Sequence, residues 1–110
     1  MVYNEDILLR IREAIKIFPD GFVEKKMFGG VAFLFKGKMT IGAINNDLMV
    51  RILSSKIDIE LLKEVVRPMD FTGKAMKEFV FVSEAGFKTE EQLYYWIELG
   101  LEHAKNKLKE

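Results

Sequence analysis

Val31-Ala32-Phe33-Leu34-Phe35-Lys36-Gly37-Lys38-Met39-Thr40-Ile41-Gly42-Ala43-Ile44-Asn45-Asn46-Asp47-Leu48-Met49-Val50-Arg51-Ile52 is the most informative stretch of this chain. Val31, Phe33 and Phe35 alternate with Ala32 and Leu34, which is the two-residue period of a strand. Phe35-Lys36-Gly37-Lys38 then has the composition of a hairpin turn. Met39, Ile41 and Ala43 alternate with Thr40, Gly42 and Ile44 in a second strand. Asn45-Asn46-Asp47 suits another tight turn, because Asn and Asp tolerate positive φ. Leu48, Val50 and Ile52 complete a third strand, with Met49 and Arg51 on its other face. Turns this short can join only antiparallel neighbours, since a parallel pair needs a long crossover. An antiparallel meander is predicted.

Working outward, Phe22 to Met27 adds a further strand before Gly29-Gly30. Upstream of it, Asn4 can cap a helix whose first turn carries Glu5 and Asp6 against the positive end of the dipole. Ile7, Leu8, Ile11, Ile15 and Phe18 give that helix its apolar face, and Pro19-Asp20-Gly21 ends it. Downstream, Ser55 with Asp58 fits a capping box for a second helix. Ile59, Leu62 and Val66 are predicted to be its buried face, and Pro68 its stop. Phe79-Val80-Phe81-Val82 is strongly β-prone and offers few devices to protect an edge. Thr89 with Gln92 opens a last helix, striped by Leu93, Ile97, Leu101, Ala104 and Leu108. The fold class that follows is α+β: two layers, an antiparallel sheet with N-terminal, middle and C-terminal helices, in one domain over residues 1–110. Phe28, Phe33, Phe79 and Phe81 are predicted to be buried in it.

Composition narrows the function classes. Nearly half the 110 residues are hydrophobic and nine are Phe, enough for a core without covalent staples. The chain has no Cys and one His, which excludes disulfides, thiol chemistry and the usual soft-ligand zinc sites. Residues 1–6 lack the pattern of a secretion signal, and no apolar run has the length of a membrane span. A cytoplasmic location is expected, with no cofactor. Basic and acidic side chains number 17 each, which argues against duplex DNA as a partner of this domain alone.

Four groups of residues invite a functional reading, and each has a plainer one beside it. Phe28-Gly29-Gly30 could expose backbone N–H groups to a phosphate, or simply form a bend where no Cβ fits. The polar stretch Arg67 to Lys77, with Asp70, Thr72, Lys74 and Lys77, could join Arg51 in holding an anion or small ligand. Its plainer role is to satisfy local backbone donors while Met69, Phe71 and Met76 pack. Tyr94, Tyr95 and Trp96 cover nearly every direction of the last helix, so at least one can face a partner, although a core contact is the commoner use of Trp. His103 reads as a helix-surface or partly buried residue, since no nucleophile or base can be tied to it. An enzyme is not expected.

Several segments together resemble the N-terminal domain of the TfoX/Sxy family, bacterial regulators of DNA-uptake competence. They are Lys26-Met27-Phe28-Gly29-Gly30-Val31-Ala32-Phe33, Gly37-Lys38-Met39, Asp47-Leu48-Met49-Val50-Arg51, and Pro68-Met69-Asp70-Phe71-Thr72-Gly73-Lys74-Ala75-Met76-Lys77. They run in order across nearly the whole chain. The resemblance implies a secretion-chaperone-like α+β fold and a non-enzymatic role in transcription control through a protein partner. A homodimer is expected from the sheet edges left to protect, formed by a sheet edge or by the face bearing Tyr94, Tyr95 and Trp96, and the chaperone-like fold points the same way. Two features depart from the family. Full-length members carry a second domain, whereas this chain ends at Glu110, and Glu78 stands where Gly is more usual.

Overall fold

The computed structural model of the chain describes residues 3–27, 29–71 and 74–109, without the side chains of residues 69–71 and 74–77. Among the described residues three α-helices and six strands alternate. Helix α1 (Glu5–Ala14) leads into β1 (Phe22–Met27), β2 (Gly30–Phe35), β3 (Lys38–Ile44) and β4 (Asp47–Arg51). Helix α2 (Ser54–Glu60), β5 (Val66–Phe71), β6 (Lys74–Val82) and α3 (Glu90–Leu108) follow. The sheet is open and fully antiparallel, in the order β1-β2-β3-β4-β6-β5.

The helix starts are set locally. The Asn4 side chain accepts a hydrogen bond from the Asp6 N–H at 2.8 Å. Thr89 and Gln92 close a complete capping box on α3, each side chain bonded to the other's backbone N–H at 3.1 Å.

The first four strands form the expected meander, but the second half of the sheet departs from the sequence reading. The polar stretch before Phe79 is not a loop: β5 and β6 pair as a hairpin, with Pro68 opposite Val80. Pro68 is tolerated because β5 is an edge strand, where a missing N–H need not leave a ladder bond unmade. The β-prone Phe79–Val82 segment is correspondingly interior, held by β4 on one side and β5 on the other. The edges are β1, which exposes Lys25 and Lys26, and β5, which carries Pro68 and a register shift. Both are common ways of blunting an edge.

Helix α2 also differs. It has only seven residues, begins at Ser54 without a side-chain cap, and ends at Glu60, well before Pro68. Ile57 and Leu61, one turn apart, pack against the core. That orientation sends Ile59 and Leu62 outward, 64% and 85% exposed, against expectation. Leu108, at the end of α3, is likewise exposed.

The main core lies between the sheet and the helices. Val31, Phe33, Ile41, Ala43, Leu48, Val50, Val80 and Val82 meet Ile7, Leu8 and Ile11 of α1 and Leu93, Trp96, Ile97 and Leu99 of α3. The opposite face carries a smaller apolar cluster of Ala32, Met39, Ile44, Met49 and Phe79, with Leu34 and Phe81 packed against it. Phe33 and Phe79 are buried as expected, Phe81 only in part, and Phe28 lies outside the described residues.

Gly29 has φ +82°, and a Cβ on Gly30 would strike the carbonyl oxygen of Ala43 on β3. The bend is therefore sterically required. The variant Gly30→Ala should lower stability in urea unfolding by more than the ~1 kcal/mol typical of glycine replacement at unstrained sites, because main chain rather than a flexible side chain blocks the methyl.

Candidate functional site

Two polar assemblies stand out among the described residues, one at each end of α3. Near its C-terminal end, His103 is completely buried rather than on the helix surface. Its Nε2 lies 3.2 Å from Glu78 Oε1, without the alignment of a proper hydrogen bond. Arg51 approaches the same carboxylate oxygen at 3.7 Å and lays its guanidinium 5.1 Å from the centre of the Phe79 ring. The backbone explains the meeting. Glu78 has φ +70°, the left-handed conformation that favours glycine, at an irregular part of the β5–β6 pairing. Its carbonyl accepts from the Ile52 N–H at 2.7 Å, which ties it to the end of β4.

Burial pushes His103 below the ordinary histidine range, partly opposed by Glu78 and reinforced by the positive charges of Arg51 and Lys107. Burial would raise the Glu78 carboxyl, but His103, Lys107 and Arg51 together hold it below the usual carboxylate range.

The second assembly joins α2 to the first turns of α3. The Tyr95 hydroxyl donates to Oε2 of buried Glu60 at 2.6 Å and accepts from Lys63 Nζ at 3.0 Å. Lys63 Nζ also stands 2.7 Å from Glu60 Oε1 and 4.4 Å from the centre of the Tyr95 ring. Beside these groups runs a groove of about 520 Å³, lined by Lys63, Val65, Gly86, Thr89, Tyr95 and Trp96 among others.

The three aromatic residues divide their labour. Trp96 is a core residue, 2% exposed, with its indole N–H donating to the Gly86 carbonyl at 2.9 Å. Tyr94 packs edge-on against Phe18, 6.1 Å between centroids, at the margin of the core. Only Tyr95, 40% exposed, faces outward. Arg51 belongs to the other assembly and is engaged with Glu78. The side chains of Asp70, Lys74 and Lys77, and Thr72 altogether, lie outside the described residues. Sequence reading missed Glu60, Lys63 and Glu78 as participants. The Glu60–Lys63 spacing of three was a visible helical pairing signal, and Glu78 stood where a glycine was expected.

The fold is an open-faced α+β domain with helices on one side of an antiparallel sheet, and its polar assemblies link helix to sheet and helix to helix. The chain belongs to the TfoX N-terminal domain family, whose model matches residues 19–104. No curated protein and no solved structure matches it significantly.

The His103 assembly has a pH signature. A histidine held neutral when folded and free to protonate when unfolded favours folding most above its unfolded pKa, near 6.5, and that contribution falls as pH drops toward the folded value. Urea titrations between pH 7 and pH 5 should show stability declining by up to about 1.4 kcal/mol per pH unit for the one proton involved. In His103→Leu the decline across this window should largely vanish. An equal slope in that variant would remove His103 as the cause.

Proposed function

We propose that this chain is a non-enzymatic regulatory domain that works in the cytoplasm by protein contact, in the control of genes for DNA uptake, and that it pairs with a second copy of itself. Family membership supports the regulatory setting. The observation that carries the contact reading is the outward pair Ile59 and Leu62. Their chain neighbours Glu60 and Lys63 both bond the hydroxyl of Tyr95, which ties this exposed segment to α3. Two large apolar side chains exposed on one short segment suit a protein interface better than a solvated surface. The blunted strands β1 and β5 argue against pairing through a sheet edge, which leaves the α2–α3 side. The non-enzymatic part rests on the sequence, whose lack of Cys and single His offer no nucleophile–base pair or metal set that would motivate catalysis.

Sedimentation equilibrium over a wide concentration range tests the pairing. The parent should move from 12.8 kDa toward twice that mass, and Leu62→Asp should hold it at 12.8 kDa with an unchanged circular dichroism spectrum. A parent that stays monomeric at the highest concentrations rejects self-pairing.

Action through protein also implies poor DNA binding. Equal numbers of acidic and basic residues give little counterion release, so affinity for duplex DNA should be no tighter than roughly 10⁻⁴–10⁻⁶ M at physiological salt. Fluorescence anisotropy with competence-promoter and scrambled duplexes checks this. Submicromolar binding that favours the promoter would make the domain a DNA reader instead.

A further inference from the structure

Lys63 occupies a position built like a receptor for ammonium ions. Its Nζ lies 4.4 Å from the centre of the Tyr95 ring and 5.2 Å from that of Trp96. The two rings meet edge to face, 5.0 Å apart at 84°, and so form two walls of a corner. Glu60 supplies the third side. Its carboxylate is buried, its Oε2 is fixed by the Tyr95 hydroxyl, and its Oε1 faces Nζ at 2.7 Å without an aligned hydrogen bond. Two aromatic side chains, Tyr95 approached at its hydroxyl edge, and a buried carboxylate around one cation are elements by which proteins hold alkylammonium groups. Burial alone would lower the lysine pKa, but its bonds to Glu60 and Tyr95 raise it above the ordinary value, so the occupant is a cation.

The occupant is also able to leave. The Lys63 side chain is 42% exposed, it follows the end of α2, and its flexible stem can carry the ammonium into water. The groove beside it would admit an extended chain bearing a cation to the same corner.

We propose that Tyr95, Trp96 and Glu60 form a receptor cage for an alkylammonium group, and that Lys63 is its built-in occupant, displaced when an external cation enters. Exchange of one cation for another leaves the charge of the cage unchanged, so Glu60 is never buried alone. The cage lies on the α2–α3 side and to that extent rests on the contact reading, but it binds its cation whether or not the chain pairs with itself. The cation can come from a lysine side chain of a partner polypeptide or from a free quaternary amine.

Trp96 is the only tryptophan, so its fluorescence reports the cage directly. The probe is tetramethylammonium chloride, titrated against sodium chloride of equal ionic strength. The Lys63→Ser variant should give a saturable Trp96 response with half-saturation roughly 10-fold below that of the parent, the effect of removing a competitor that contributes a cation–π contact. Adding Glu60→Gln to Lys63→Ser should abolish the response. Choline and a short lysine-containing peptide, run in parallel, distinguish a free amine from a polypeptide as the source. Lys63→Met, which keeps the apolar stem, repeats the titration if Lys63→Ser does not fold. A response that merely follows sodium chloride in a folded variant shows Lys63 to be a strut between α2 and α3 and overturns the proposal. Failure of both variants to fold also overturns it, since a displaceable occupant cannot be essential to the fold. The titration is independent of sedimentation, so a working cage on a monomer, or a dimer without a cage, separates this inference from self-pairing.

Discussion

The backbone of α3 touches the backbone of β3 at Gly100. A Cβ there would collide with the carbonyl oxygen of Thr40 and come within 2.8 Å of its carbonyl carbon. No other residue could let helix and strand approach so closely. Thr40 is itself prepared for the contact: it sits at a register shift between β2 and β3, and its hydroxyl turns back to donate to the Phe33 carbonyl at 2.8 Å. With the helix seated at this depth, Leu93, Trp96 and Ile97 reach the core on one side of Gly100, and His103 and Ala104 are buried on the other. Both polar assemblies hang from this one close approach, because it sets the height of α3 above the sheet.

The two assemblies spend that geometry differently. At the C-terminal end, burial brings a histidine, a carboxylate and an arginine into a space with few hydrogen-bond partners, and the left-handed Glu78 completes it. Buried polar groups with poorly aligned partners cost stability rather than adding it, so this end of the molecule is responsive to protonation. At the N-terminal end, Tyr95 leans toward α2, and Glu60 and Lys63 close around it. There the charges are matched and the groups remain close to solvent, which suits exchange with an external partner.

The sheet contributes mainly by withholding its edges. Lysines on β1 and a proline on β5 discourage further strand pairing, while the α2 region exposes Ile59 and Leu62. The α2 segment turns Ile57 and, just past its end, Leu61 inward, and leaves Ile59 and Leu62, which fall at other angles, in solvent.

How much of this was legible in the sequence follows the range of the interactions. The first four strands were readable because period and turn chemistry are local: Asn45 at φ 52° and Gly29 at φ 82° adopt what their residue types favour. The caps at Asn4 and Thr89 were readable for the same reason, each bond spanning two or three residues. The β5–β6 hairpin was not, since Pro68 argues against a strand until it is known that the strand is an edge, and only the neighbouring chain decides that. Which face of α2 is buried, and the burial of His103, escaped for a similar reason. A helical stripe names the residues on a face, but the direction that face points is fixed by what packs there. Sequence by itself determined the α+β class and the helix starts at Asn4 and Thr89. Tertiary structure decided the partners of Arg51, the meeting of Glu78 with His103 and the cage around Lys63, because each joins residues more than twenty positions apart or depends on the depth at which α3 is seated.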